Sequence, residues 1–196
     1  MGRALEGVER RRFTVEEYHR MAETGILAPH ERVELVRGSV REMSPKNRVH
    51  VIAVDSICSR FREALRGKAS VYQEAPLVAE GIDSEPEPDV MICSNPDRSA
   101  YGTRRTTPLL VIEVADSSLD YDVGEKAALY ADAGVPEYWV ANLIERVLVV
   151  FREPKRGSYQ NCLFLDAKAL VTPLAWPELA FEVSALFPRE SADEPR

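Results

Sequence analysis

The alternation of apolar and polar positions divides the chain into helical and strand-like segments. Thr14-Val-Glu-Glu17 has the form of a capping box and opens a helix. Gly25 closes it and Pro29 forbids its restart. Arg32-Val-Glu-Leu-Val36 alternates, Val40-Arg-Glu-Met43 follows, and Arg37-Gly38-Ser39 between them predicts a hairpin turn. From Ser44-Pro45 to about Arg66 the apolar positions Val49, Ala53, Ile57, Phe61 and Leu65 recur every four residues. That spacing predicts a second helix with one buried face, ended by Gly67.

Ala69 to Ala79 reads as a strand, and Gly81 turns the chain. Pro88-Asp-Val-Met-Ile-Cys93 is a short apolar strand with Asp89 at its start. A polar loop from Ser94 to Thr107 leads into Pro108-Leu-Leu-Val-Ile-Glu-Val-Ala115, which is apolar almost throughout, as a strand covered on both faces should be. Asp120 or Asp122 is placed to cap a helix that runs to Ala133 and stops at Gly134. Glu137–Asn142 and Arg146–Arg152 predict two strands joined by a short turn, and Ser158 to Phe187 adds a strand or two, interrupted by Pro173 and Pro177. This order of elements predicts an α/β domain, bordering on α+β, built on a mixed sheet. It reads as one domain over residues 1–196, with a core of about 13–187 and frayed polar termini.

Composition narrows the classes. With 196 residues the chain matches one domain of ordinary size, and 45% hydrophobic with 29% charged residues excludes a largely disordered protein. No apolar run approaches the roughly 20 residues needed to span a bilayer, and the N-terminus lacks the apolar stretch of a signal peptide. Cys58, Cys93 and Cys162 are widely spaced and form no CxxC pair, so neither a disulfide framework nor a zinc knuckle is expected; a reducing cytoplasm is the natural compartment. The formal charge of −7 disfavours non-specific coating of nucleic acid. It leaves room for a nuclease, because acidic metal ligands contribute to it and contact with phosphate needs only a local basic patch.

The chemically informative position is Glu113, a carboxylate inside the most apolar strand. An ionised carboxylate buried alone is expensive, so it must be paired or bind a metal, unless the position is an edge that faces solvent. Asp89 raises the same alternatives on another short apolar strand. Two carboxylates on neighbouring strands can hold one Mg²⁺, which prefers oxygen ligands and keeps several waters. Lys126 borders the apolar face of Val123, Ala127 and Tyr130 on the helix after Glu113. Its head can reach the end of the sheet where Glu113 sits, or it can snorkel over apolar surface. Glu34, between Val33 and Leu35, either faces solvent by alternation or adds a further metal-site carboxylate. His50, at the start of the second helix, is either a structural histidine or a general base or phosphate contact. Arg60, Arg62, Arg66 and Lys68, or Arg104 and Arg105 in the polar loop, are candidate phosphate contacts, although a basic cluster is usually a solvated face.

Asp89 and Glu113, with Lys126 behind them, resemble the PD-(D/E)XK nuclease superfamily. The local text is closer to one branch of it, the Uma-type restriction-endonuclease family. The matching stretches are Arg32-Val-Glu-Leu-Val-Arg-Gly38, Met43-Ser-Pro45 followed by His50, Glu85-Pro-Glu-Pro-Asp-Val90 and Leu110-Val-Ile-Glu-Val-Ala-Asp-Ser117. The most specific is Lys126-Ala-Ala-Leu-Tyr-Ala-Asp-Ala-Gly-Val-Pro-Glu-Tyr-Trp-Val140; together they cover most of residues 13 to 152. The resemblance implies a restriction-endonuclease-like core with a metal site at the sheet edge, where Asp89 and Glu113 hold Mg²⁺ or Mn²⁺ and a lysine assists. The superfamily's usual lysine stands two residues after the glutamate; Ala115 occupies that position here, and the family's lysine maps instead to Lys126. Glu34 and His50 map to positions associated with the site, Glu34 as a further metal ligand.

The function expected on these grounds is metal-dependent hydrolysis of nucleic-acid phosphodiesters, DNA favoured. The rivals are a metal-dependent hydrolase of RNA or another phosphate substrate, and a non-catalytic binding or scaffold relic of the fold. A homodimer fits duplex cleavage by two symmetric sites, with Val147 to Phe151 or the segment after Trp176 as candidate interfaces. No membrane partner is expected.

Overall fold

A computed structural model describes residues 10–94, 97 and 108–188 of the chain. The described residues fall into two compact units, one drawn from the chain up to Met43 with Val78–Pro86, the other from Ser44–Leu77 with the chain from Glu87 onward.

In the smaller unit, α1 spans Val15–Glu23 and starts at the expected capping box. The Glu17 N–H donates to Thr14 Oγ1 at 3.1 Å, and the Thr14 N–H donates to Glu17 Oε2 at 3.1 Å. β1 (Val33–Val36) and β2 (Ser39–Glu42) form an antiparallel hairpin in which Val36 pairs with Ser39. The turn is therefore the two residues Arg37 and Gly38, both at positive φ (48° and 74°), which is the twist-matched geometry for a two-residue hairpin loop. Gly38 is required twice over, since a Cβ there would stand 2.6 Å from Arg12 Cβ. Glu34 is buried, against the solvent-facing position that alternation predicts, because Glu34, Leu35 and Val36 are covered on both sides.

The larger unit is built on one six-stranded sheet. β3 (Ser70–Gln73), β4 (Val90–Cys93), β5 (Pro108–Ala115), β6 (Glu137–Asn142), β7 (Val147–Lys155) and β8 (Ser158–Leu165) lie side by side in chain order. Only β5 and β6 run parallel; the other neighbours are antiparallel. A parallel pair needs a crossover, supplied by a short α3 (Leu119–Tyr121), a widened π turn (Asp122–Lys126) and α4 (Ala127–Asp132). α2 (Arg48–Ala64) packs on β3, β4 and β5. Its Ala53, Ile57, Phe61 and the following Leu65 join Ile92, Leu110, Ile112, Val114 and Trp139 in one core. The opposite face is covered at α4, where Tyr130 packs on Tyr138 with ring centroids 4.9 Å apart. β9 (Leu170–Val171) and β10 (Phe181–Glu182) make a small separate pair. The mixed sheet with flanking helices is the expected α/β architecture.

Several local expectations are corrected. α2 begins at Arg48 behind an Asn47 cap, whose Oδ1 accepts from the His50 N–H at 2.9 Å, rather than at Ser44-Pro45. Val49 is 49% exposed and lies off the buried face, since steps of four residues drift by about 40° each and carry the first position out of the stripe. The strand expected from Ala69 to Ala79 ends at Gln73. Neither Asp120 nor Asp122 caps the crossover helix, whose N-cap residue is Ser118; Asp122 is instead buried inside the π turn. β7 lies between β6 and β8, with Leu148, Val149 and Val150 buried and Val147 and Phe151 half-buried. After Trp176, Val183, Leu186 and Phe187 are part of the core. Arg104, Arg105 and the polar stretches at both extreme ends lie outside the described residues.

Candidate active site

Alternation along β5 decides what Glu113 meets. Leu110, Ile112 and Val114 enter the α2-side core, which sends Glu113 to the opposite face, where the crossover from β5 to β6 lies. The Lys126 Nζ stands 2.8 Å from Glu113 Oε1, and the Tyr130 hydroxyl donates to the same oxygen at 2.7 Å. Lys126 and Tyr130 are four residues apart across the end of the π turn, one helical face aimed at one carboxylate. Widened turns of this kind are rare and recur at functional sites.

Asp89 immediately precedes β4, one step beyond the Val90–Ile112 pair, so it lies beside Glu113. The Asp89 N–H donates to Glu113 Oε2 at 3.2 Å, and the Val114 N–H donates to Asp89 Oδ2 at 2.9 Å. Its other oxygen, Oδ1, meets Lys46 Nζ, from the segment before α2, at 3.0 Å and His50 Nε2, from the first turn of α2, at 3.1 Å. Lys46 also holds Glu74 Oε1 at 3.0 Å. Both central carboxylates are nearly sealed, Asp89 at 5% and Glu113 at 3% exposure.

Their environments push the two acids apart. Burial alone would raise Asp89, but the His50 hydrogen bond and charge, the Lys46 ammonium and the Val114 N–H outweigh it and hold the carboxyl well below the usual range. Burial pushes Glu113 up; the Lys126 ammonium opposes the rise and the neighbouring Asp89 charge adds to it. Adjacent carboxylates displaced in opposite directions, inside one cluster of cations, mark a site arranged for chemistry more often than one arranged for packing.

The structure thus brings together Asp89, Glu113, Lys126 and His50. Glu34 belongs to the smaller unit. Lys46 and Tyr130 complete the cluster, and neither was among the candidate site residues. Tyr130 stands on the same helical face as Lys126, which was a readable signal. Lys46 lies in the irregular segment before the α2 cap and had none beyond its closeness to His50. The donor set of Asp89 and Glu113 fits a hard divalent cation: Mg²⁺ binds through one or two carboxylates and keeps waters in its remaining positions. Among the described residues no three His, Cys, Asp or Glu side chains converge on one metal position, and none of the helices there is long and apolar enough to cross a membrane.

Another buried carboxylate, Glu137 on β6, is fully enclosed. Its Oε1 accepts from Arg152 Nε at 2.8 Å and Trp139 Nε1 at 3.0 Å, and its Oε2 accepts from the Leu174 N–H at 2.7 Å.

Residues 15–184 match the profile of the Uma2 family, described as "Putative restriction endonuclease". The chain is also similar to a crystal structure from Anabaena variabilis, described as "a putative nuclease belonging to DUF820". The identity is 17%, the match covers 89% of this chain and 97% of that one, and the TM-score is 0.72, which establishes a shared fold. No curated protein matches the chain.

Proposed function

The chain belongs to the Uma2 restriction-endonuclease family, and from that premise we propose that it hydrolyses phosphodiester bonds of nucleic acid, DNA in the first place, at the Asp89–Glu113 pair. The observation that carries this reading is the pairing itself: two adjacent, almost fully buried carboxylates with Lys46, His50 and Lys126 directly on them. A lone buried acid would need one cation. Two acids side by side cost more in desolvation than either alone, and a fold retains such an arrangement where the charge has a use.

Asp89 and Glu113 would hold Mg²⁺ or Mn²⁺; when bound, the ion supplies positive charge to a phosphoryl oxygen and lowers the pKa of a coordinated water. The chain's own residues supply the rest. The Val114 N–H and the Asp89 N–H fix the two carboxylates relative to the strands that carry them. Tyr130 and Lys126 aim Glu113, and the Lys126 ammonium stands ready to balance charge that builds on the phosphate. His50, on Asp89 Oδ1, is placed to contact phosphate or pass a proton to the leaving oxygen.

The test is cleavage of supercoiled, linear and single-stranded DNA, with RNA in parallel, under Mg²⁺, Mn²⁺ and EDTA. Metal-dependent cutting that disappears in both Asp89→Ala and Glu113→Ala is expected. Cutting of RNA alone would move the reading to that substrate. Cutting that survives in both variants, or no cutting by any form, would overturn it.

A further inference from the structure

The larger unit carries a polar cleft away from the carboxylates. It has a volume of about 580 Å³ and lies where the C-terminal turn of α2 meets β3, lined by Ser59, Arg62, Arg66, Gly67 and Ser70, with Glu63 at the same wall. Two buried side-chain atoms in it, Arg62 Nε and Ser70 Oγ, have no hydrogen-bond partner among the described residues, and no other buried side-chain nitrogen or oxygen there is left so. Ser70 is only 2% exposed. A buried donor left unmatched costs free energy, and the two residues that carry these atoms line one cleft. The end of α2 carries partial negative charge and Glu63 adds a full one, against which Arg62 and Arg66 set two positive charges at the same wall.

We propose that this cleft is an oxyanion site and that its ligand is a backbone phosphate of the bound nucleic acid, remote from the bond that is cut; this rests on the nuclease reading. Arg62 stands twelve residues after His50 on the same helix, a separation of about 18 Å along its axis. At about 3.4 Å per nucleotide step, that is about five nucleotides of a B-form strand. The guanidinium groups match phosphate as planar donors, and the Ser70 hydroxyl adds one bond that carries no base information. Lys68 is tied to Glu178 at 3.0 Å and stays outside the cleft.

The test has two arms. Inorganic phosphate is titrated into the ¹⁵N-labelled protein without metal. Saturable shifts of the Gly67 and Ser70 amides are expected, abolished in Arg62→Gln/Arg66→Gln and weakened in Ser70→Ala. Binding of a 20-base-pair duplex is then followed by anisotropy in EDTA against salt concentration. In Arg66→Gln, at an exposed position that folding tolerates, the slope of log K on log salt is expected to fall by about one. Absence of a saturable phosphate shift overturns the site. A phosphate shift with unchanged duplex affinity and slope overturns the backbone assignment. Neither arm depends on cleavage, so a protein that binds phosphate here and cuts nothing would lose the nuclease reading and keep the site.

Discussion

Glu137 and the Asp89–Glu113 pair are buried carboxylates of the same sheet, and they are satisfied in different ways. Glu137 has one full countercharge, Arg152, and its other partners are an indole N–H and a main-chain N–H. Every partner is fixed by β6, β7 or the segment at Leu174, and the charges cancel one for one. At the other site the two acids share a wall, Glu74 lies just beyond, and the lysine countercharges arrive on flexible stems from the segment before α2 and from the π turn. The first arrangement locks β6, β7 and the Leu174 segment together. On the proposed function, the second leaves groups that exchange one partner for another when a cation and a phosphate enter. Burial of a carboxylate by itself therefore says little about function; what distinguishes the site is the adjacency of two acids and the long side chains that serve them.

The sharpest way to break this comparison is to neutralise one acid of each kind. Asp89→Asn and Glu113→Gln are each expected to lower cleavage by at least about 10³-fold, about 4 kcal/mol of transition-state stabilisation. Glu113→Gln should unfold in urea close to the unaltered protein, and a large loss of stability with it would erase the distinction; Asp89→Asn gives up the ionic contacts that hold its carboxyl low and should unfold somewhat earlier. Arg152→Ala is the converse. It strands Glu137 in the core and is expected to cost about 3–5 kcal/mol of unfolding free energy, with cleavage per folded molecule preserved.

Smaller effects sharpen the picture inside the site. Lys126→Met should lower kcat by about 10²-fold while the affinity for non-cleaved duplex in EDTA changes little; an equal loss in both would make Lys126 a binding group. Tyr130→Phe removes one hydrogen bond to Glu113 and should cost about 1 kcal/mol in stability and at most tenfold in rate. The smallest expected effect belongs to the thiols. Burial pushes Cys58 up to about 11 and Cys93 up to about 12, whereas Cys162 is exposed on β8. Maleimide should therefore label one cysteine of the native protein, and Cys162→Ser should abolish labelling without altering cleavage.

Much of this was legible in the sequence because local rules suffice for it. The capping box at Thr14, the hairpin turn at Gly38, the all-apolar run into which Glu113 intrudes and the helix bearing Lys126 each depend on residues within a few positions of one another. The errors came where a local rule met a distant neighbour. Four-residue spacing placed Val49 on the buried face of α2, yet it is exposed, because the face is set by where the sheet lies. For Glu34, alternation left open a solvent-facing side chain and a metal-site carboxylate; the side chain is buried. Glu137 stood inside the most specific family stretch and its role could not be read, since Arg152 and Leu174 reach it only through strand pairing and the chain beyond.

By itself the sequence determined the order of the elements, the mixed-sheet class, and the presence of acids where a core should be, because propensity, periodicity and capping act over a few residues. The tertiary structure alone decided which acids meet. The register of β4 on β5 sets Asp89 against Glu113, and the crossover delivers Lys126 and Tyr130 to one oxygen. Lys46 reaches Asp89 across 43 residues of chain. Contacts of that kind depend on strand register and helix packing, which no short window of residues contains.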